Sequence, residues 1–360
     1  MKRLLTLILL FLIGAILPFG CAPGSPDGSQ TGRGGDKVLN LYNWSTYIDP
    51  DAIAQFEQQY NVKVNYDTYD SNESLYAKLQ AGNPGYDVIF PSDYMVKIMI
   101  EQGMLEPVDL SKITNLTHVE PQFLNPPYDP ENRYSVPYQW VTLGLGYNWD
   151  ETGAEIDSWQ QLFDPKFKGK VALLDDMRHT MGAILMYLGY DPNTTNPDEI
   201  AAARDLIIEN RDNIAAFVPD TGQTLLNQGE VTLAMEYSGD IFQVMSENPK
   251  LRYSIPKEGT IIGMDNMAIP KGAPHPETAT EFINFILQPE IGAKISNFIN
   301  YGSPNKTAIA QKLIKPENLE NPAIYPPPEV FAKLQYLQDV KEATLLYDEA
   351  WTEVKLAVGS

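Results

Sequence analysis

Strand-like and helix-like segments alternate along most of this chain, and this order restricts the possible fold more than any other feature. Residues 38–44 form a short apolar and aromatic run, residues 62–66 alternate between apolar and polar side chains, and residues 86–90 are again mostly apolar. Between the first two runs, Ile53 and Phe56 recur at helical spacing. Alternating β and α segments are typical of an α/β sheet.

The helices predicted between these strands carry start and stop signals. Pro50 and Asp51 begin the first helix, and Asp70 with Glu73 predicts a capping-box-like start for the second. Gly103 ends the third helix. These signals support a regular succession of strand, helix and strand in the first third of the chain.

A second α/β run follows an interruption at residues 113–137, which contain five prolines. The patterns after it predict strands at residues 141–147, 171–174, 231–236 and 264–269, helices at 178–188, from 196, at 221–228, 276–287 and 289–299, and a last amphipathic stretch at 330–354. Two α/β runs predict two similar lobes with crossing connections between them.

The N-terminus has the features of an export signal. Lys2 and Arg3 precede an uncharged apolar stretch of sixteen residues, 4–19, shorter than the roughly 20 residues of a spanning helix. We therefore predict a signal peptide over residues 1–20. Gly20 and then Cys21, the only cysteine, follow, an arrangement that resembles a bacterial lipoprotein signal with a lipid-modified cysteine. The alternative is a soluble secreted protein that is cut nearby.

Residues 21–37 are rich in Gly, Pro and Ser and are predicted to form a flexible tether. With one cysteine, the fold has no internal disulfide to rely on and depends on its core.

The chain is strongly acidic. It has 26 Lys+Arg against 47 Asp+Glu, a formal net charge of −21. Such a surface repels phosphate backbones, which argues against nucleic acid as a partner. One interpretation of this charge is solubility alone, and the alternative is that its field also attracts cationic solutes.

Four segments at predicted strand ends contain the candidate binding residues. Ligands of open α/β sheets bind beyond the carboxyl ends of the strands, which selects residues 43–47, 91–94, 175–179, and 237–240 together with 263–265. These segments combine aromatic rings, small hydroxyls and carboxylates. Rings attract a cation over their faces and carboxylates form charge-assisted hydrogen bonds with amines, so the segments together favour an ammonium ligand.

Each of these residues also has a purely structural interpretation. Trp44 fits a core or rim position, Asp175 and Asp176 fit a helix N-terminus, and Ser92 fits a helix cap. The coincidence of four such segments at equivalent strand ends favours the binding interpretation.

Seven runs, in the same order along the chain, resemble the polyamine-binding proteins of bacterial ABC importers, the spermidine/putrescine substrate-binding proteins. The resemblance covers essentially the whole chain from about residue 38. The runs are residues 42–45 (YNWS), 69–73 (YDSNE), 91–94 (PSDY), 136–138 (VPY), 169–176 (GKVALLDD), 188–190 (LGY) and 264–270 (MDNMAIP).

The resemblance implies a type II periplasmic-binding-protein fold, in which two lobes close by a hinge around a central ligand cleft. It places residues 38–146 and 267–310 in the first lobe and residues 147–266 and 311–360 in the second. It also implies a monomeric, non-enzymatic protein without a cofactor. Such a protein captures a polyamine in the periplasm, or at the outer face of the cytoplasmic membrane, and delivers it to a membrane permease.

The resemblance further assigns roles to individual residues. It implies that Trp44 and Tyr94 stack on the methylene chain of the ligand, while Ser45, Tyr47 and Ser92 hydrogen-bond one amine. The remaining implied ligand-binding residues are Asp176 and Asp265, which match amine-binding carboxylates, Asp240, which matches an aspartate of putrescine-preferring members, Tyr237, which stands in place of a tryptophan, and His179.

The chain departs from the family pattern at three positions. Thr46 and His179 stand where acidic residues are usual, and Gly263 stands where a tryptophan is usual. These changes leave open which polyamine is bound, and whether the ligand is another amine or a cationic amino acid.

Two other classes compete with this interpretation. The 20 tyrosines admit an iron-binding importer component, although no Tyr pair accompanies a His or carboxylate at recognisable spacing. Paired carboxylates such as Asp175 and Asp176 admit a hydrolase, but adjacent side chains diverge and make a poor acid/base pair.

Overall fold

A computed structural model describes residues 37–359 of the chain. The predicted signal peptide, Cys21 and all of the predicted tether except Lys37 lie outside the described residues. The strands follow one another as β1 (Lys37–Asn43), β2 (Val62–Thr68), β3 (Val88–Ile89), β4 (Ser135–Asn148), β5 (Val171–Leu174), β6 (Ile214–Val218), β7 (Leu233–Tyr237), β8 (Leu251–Ser254), β9 (Thr260–Ala268) and β10 (Leu334–Gln335).

The α-helices alternate with these strands and then dominate the C-terminal third. They are α1 (Pro50–Tyr60), α2 (Asn72–Gln80), α3 (Asp93–Glu101), α4 (Trp149–Thr152), α5 (Met177–Tyr187), α6 (Pro197–Glu209), α7 (Gly222–Gln228), α8 (Ser238–Met245), α9 (Pro276–Ile286), α10 (Pro289–Ile299), α11 (Lys306–Ala310), α12 (Pro316–Leu319), α13 (Pro328–Phe331) and α14 (Thr344–Val358). Within the described part of the chain, every helix is too short or too polar to cross a membrane.

The sheet runs in the order β2-β1-β3-β9-β4-β7-β5-β6, with β10 beside β9 and β8 beside β4. β1 is parallel to β2 and β3, and β5 is parallel to β6 and β7. Each parallel group joins the middle of the sheet through an antiparallel neighbour, β3 with β9 and β4 with β7. The predicted α/β class with two runs of parallel strands is therefore confirmed.

β4 and β9 connect the two parallel groups. β4 is buried along its whole length; its Ser135–Thr142 part pairs with β9, and its Leu143–Asn148 part pairs with β7 or β8. β9 pairs with β3 of the first group and β4 pairs with β7 of the second, so the two strands together link both groups into one sheet.

Most predicted elements are present, and the end signals explain their bounds. Asp49 caps α1 ahead of Pro50, and Asn196 caps α6 ahead of Pro197. The start predicted for α2 at Asp70 is wrong by one residue, because Ser71 forms the capping box with Ser74.

The prediction of one continuous amphipathic element at residues 330–354 is wrong. The chain instead forms α13, the short strand β10 and, after a loop containing Lys341 at φ 55°, α14. β10 pairs with β9, a distant strand in the sequence, so helical periodicity alone did not reveal it. The strands β6 and β8 and the helices α4, α8, α11 and α12 were not predicted.

Candidate ligand-binding site

The predicted strand-end segments converge on a small cavity of about 20 Å³, beyond the ends of β1, β3 and β7 and beside β9. Seven of the predicted site residues line it: Trp44, Tyr47, Ser92, His179, Tyr237, Asp240 and Asp265. Ser45, Tyr94 and Asp176 do not line it but contact or surround residues that do. About 20 Å³ accommodates little more than a water molecule, so the lining side chains lie close to one another.

Asp265 is the acceptor at one end of the cavity. It lies in β9, and its carboxylate accepts hydrogen bonds from the hydroxyl groups of Tyr47 at 2.7 Å and Ser92 at 2.6 Å. Asn72, at the start of α2, donates to Ser92 Oγ at 3.0 Å and fixes its orientation. Burial raises the pKa of Asp265 to about 6, against the opposing effect of the two hydroxyl donors.

Asp240 and Asp220 are the acceptors at the other end. Asp240, in the first turn of α8, accepts hydrogen bonds from Thr46 Oγ1 and from Tyr301 Oη, each at 2.5 Å. Asp220 accepts from the backbone N–H of Ser45 at 3.1 Å and from its hydroxyl at 2.9 Å. Burial and the nearby charge of Asp220 raise the pKa of Asp240 to about 7, and burial also raises the pKa of Asp220.

A glycine makes room for the tyrosine at this end. A Cβ atom on Gly239 would lie 2.1 Å from Cε2 of Tyr301, a distance that no real contact allows. Gly239 therefore lets the Tyr301 ring lie against α8, with its hydroxyl directed at the carboxylate of the next residue.

Fixed aromatic rings form the remaining walls. Trp44 donates its Nε1–H to the carbonyl of Phe90 at 3.0 Å, and its ring lies edge-on to Tyr237 with centroids 6.3 Å apart. Tyr47 and Tyr301 meet edge to face at 4.9 Å. Rings held in this way present faces and edges to a ligand without losing side-chain freedom on binding.

The third predicted carboxylate, Asp176, lies behind His179. Asp176 caps α5 by accepting from the His179 backbone N–H at 2.9 Å, and its Oδ1 lies 3.0 Å from His179 Nδ1. Burial would raise the pKa of Asp176 and lower that of His179. Their mutual attraction overrides it, so that the pKa of Asp176 is lowered and that of His179 is raised.

Arg178 does not face the cavity. Its guanidinium group is buried, donates to the carbonyl of Gln338 at 3.0 Å and to Asn193 Oδ1 at 3.2 Å, and lies 4.8 Å from the ring centroid of Tyr347. Tyr94 lies between Arg178 and His179, and its hydroxyl donates to Glu73 at 3.1 Å.

The selected segments did not include three residues that line the cavity: Val141, Asp220 and Tyr301. Asp220 follows β6, so the strand-end rule would have found it if that strand had been recognised. Tyr301 follows the C-terminus of α10, where Asn300 adopts a left-handed conformation, and the strand-end rule does not reach it. Thr46, which also lines the cavity, lies in the selected segment 43–47, but no ligand-binding role was assigned to it.

The residues that line the cavity favour the binding of a positively charged ligand. Three lining carboxylates, Asp220, Asp240 and Asp265, face one lining imidazole, and the described lining residues include no Lys or Arg. Buried carboxylates require donors or cations, and burial raises the pKa of all three above the ordinary value in spite of their hydroxyl donors. The arrangement can therefore bind an organic cation by hydrogen bonds at two ends and by ring contacts between them.

Solved structures share this architecture. The TpPotD lipoprotein of Treponema pallidum superimposes with a TM-score of 0.77 at 32% identity, over 88% of this chain and 99% of that one. Two α/β lobes around a ligand cleft define the class of solute-binding proteins. A family model described as bacterial extracellular solute-binding protein matches residues 51–324. The chain belongs to this family of exported binding proteins.

Two curated relatives are similar over nearly their whole length. The spermidine/putrescine-binding periplasmic protein of Salmonella typhimurium is 38% identical over 320 residues, 88% of this chain and 91% of the relative. The protein of the same name from Escherichia coli is 36% identical over 346 residues, 96% of this chain and 97% of the relative.

Proposed function

We propose that this protein is the extracytoplasmic solute-binding component of an ABC importer and that it captures a polyamine of the putrescine/spermidine class. The observation that carries the proposal is the excess of buried carboxylate over buried cation around the cavity. A linear ligand with ammonium groups at its ends supplies the missing positive charge at Asp265 and at Asp240 together. The names of the Salmonella and Escherichia relatives support the same ligand class.

Transport requires binding and release, without catalysis. Thr46 and Ser45 follow β1, whereas their partners Asp240 and Asp220 follow β7 and β6. Hydrogen bonds between these residues join the two parallel groups of the sheet, so they are made only when the cleft is closed. A ligand favours the closed state to the extent that it binds that state better. The closed protein then delivers the polyamine to a membrane permease.

The other parts of the proposal concern the ends and the lobes. Residues 1–20 serve as the signal peptide, Cys21 carries a lipid, and residues 21–37 tether a monomeric binding domain to the outer face of the cytoplasmic membrane. Residues 38–146 with 267–310 and residues 147–266 with 311–360 form the two lobes. The Treponema structure is itself that of a lipoprotein, which supports the anchor.

The cavity favours a polyamine over the alternatives. A cationic amino acid brings an α-carboxylate, and the one cationic side chain on the described lining, His179, is already paired with Asp176. For an iron-binding role, no group of three or more His, Cys, Asp or Glu side chains among residues 37–359 is placed to hold a metal ion.

The experiment is a calorimetric titration of the mature domain with putrescine, spermidine, spermine, lysine and arginine. The proposal predicts micromolar or tighter binding of at least one polyamine, worth about 8 kcal/mol, and binding of the amino acids at least about tenfold weaker. Binding of lysine or arginine alone, or of none of these compounds, would contradict it.

A further inference from the structure

His179 separates the cavity from two carboxylates behind it. His179 lines the cavity, whereas Asp176 and Glu73 do not. The side chains of His179 and Asp176 are 5% and 1% exposed, so their 3.0 Å contact is shielded from solvent. The imidazole also meets the edges of two tyrosine rings, Tyr237 at 5.3 Å and Tyr94 at 6.5 Å between centroids.

The two carboxylates behind His179 retain unused acceptor capacity. Asp176 Oδ2 and Glu73 Oε2 are buried and have no hydrogen-bond partner among the described residues. Buried carboxylate oxygens without donors are costly unless a positive charge lies nearby. Arg178 directs its guanidinium toward Gln338 and Asn193, although its charge also acts on Asp176, whereas His179 Nδ1 contacts Asp176 at 3.0 Å.

The surroundings of His179 favour its protonated form. Burial lowers its pKa, but nearby carboxylates raise it above the ordinary value. The charged and titratable groups that act on it or contact it belong to several elements: Glu73 of α2, Asp93 and Tyr94 of α3, Asp176 and Arg178 at the start of α5, Tyr237 of β7 and Asp265 of β9. Carboxylates outnumber the single guanidinium in this set, and their negative charge favours the imidazolium form.

We propose that His179 is a specificity-determining residue: its imidazolium is a fixed positive charge that occupies the Asp176–Glu73 end of the cleft, so that the cavity accepts a diamine in preference to a triamine. This inference rests on the proposed function. Asp265 at one end and Asp240 with Asp220 at the other remain to bind two ammonium groups. A third ammonium group directed toward α5 meets a like charge in place of a carboxylate.

The test replaces His179 by a neutral and by an acidic side chain. His179→Gln removes the fixed charge, and His179→Glu also adds an acceptor for a further ammonium group. Calorimetric titrations near neutral pH give the affinities for putrescine, a diamine, and spermidine, a triamine. The ratio of spermidine to putrescine affinity is expected to rise at least about tenfold in His179→Glu and to rise less in His179→Gln.

A matched control is available in the same chain. His275 Nδ1 lies 3.0 Å from Asp87 Oδ2 and makes the same kind of pair at the start of α9, but neither residue lines the cavity. His275→Gln is expected to leave the affinity ratio unchanged. Because the sequence has three histidines, proton NMR of the imidazoles in each variant identifies the His179 signal, which is expected to titrate above the ordinary pH range of histidine in the ligand-free protein.

The outcomes separate this inference from the proposed function. A wild-type protein that binds neither amine contradicts the proposed function. A wild-type protein that binds them, with an affinity ratio that neither variant at residue 179 changes, overturns only the role of His179. Should His179→Glu fail to fold, as judged by circular dichroism, the ratio in His179→Gln and the NMR titration decide: an unchanged ratio or a depressed imidazole pKa refutes the inference.

Discussion

Replacement of Asp265 by asparagine tests the physical basis of ligand binding most sharply. The substitution keeps the shape of the side chain and removes its charge. In the wild-type protein, Asp265 lines the cavity and accepts one hydrogen bond from Tyr47 and one from Ser92. Loss of a buried charge-assisted hydrogen bond to an ammonium group costs about 3 kcal/mol, so we expect polyamine affinity to fall by about 100-fold near pH 8.

The pH dependence of this loss gives a second, independent test. Because burial raises the pKa of Asp265 to about 6, the carboxyl group is ionised at pH 8 and about nine-tenths protonated at pH 5. The wild-type protein therefore binds more weakly in acid, while Asp265→Asn has no charge to lose at this position. The difference between the two proteins should shrink to about tenfold at pH 5.

Calorimetric titration over this pH range is the assay, and Asp67→Asn is the control. Asp67 accepts a hydrogen bond from the Tyr86 hydroxyl at 3.0 Å, as Asp265 does from Tyr47, but it is exposed and outside the cavity. An affinity loss below about threefold at pH 8, or a loss that does not change with pH, would refute the reasoning.

Three further perturbations follow from the site. Burial places the folded-state pKa of Asp240 near 7, above its unfolded value, so the stability that this group contributes is present in acid and lost as pH rises. Urea unfolding of the ligand-free protein should therefore give a free energy of unfolding about 1–2 kcal/mol lower at pH 8 than at pH 5. Asp240→Asn should reduce this difference between the two pH values. Gly239→Ala forces Tyr301 away from Asp240 and should weaken polyamine binding at least about tenfold in calorimetry, whereas Gly292→Ala, whose Cβ would meet its neighbours at an ordinary 3.4 Å, should not. Arg178→Met leaves the carbonyl and amide partners of the buried guanidinium unpaired and should lower the free energy of unfolding by about 2–3 kcal/mol; a loss below about 0.5 kcal/mol would contradict the assigned role.

The part of the site that the sequence predicted depends on the strand-end rule. Trp44, Ser92 and Tyr237 directly follow or end strands whose apolar pattern is clear, so their convergence on one cavity was predictable from topology. Asp220 was not predicted, because the strand that precedes it has no clear apolar pattern. It follows β6, a short strand at the edge of the sheet that is only partly buried and shows no alternation.

Other features depend on tertiary contacts that no local pattern contains. The broken C-terminal stretch arises because β10 pairs with β9, which lies far from it in the sequence. Tyr301 reaches Asp240 only because Gly239 admits its ring. The 3.0 Å pair of His179 with Asp176, and the charge of Glu73 that also acts on His179, were not predicted, because they depend on how distant segments meet in the fold.

A crystal structure of the protein with putrescine tests the central claim most directly. The account predicts one amine nitrogen within hydrogen-bond distance of Asp265 and the other within hydrogen-bond distance of Asp240, with the methylene chain against Trp44. Putrescine bound elsewhere on the protein, or held in the cleft without contact to either carboxylate, would contradict it.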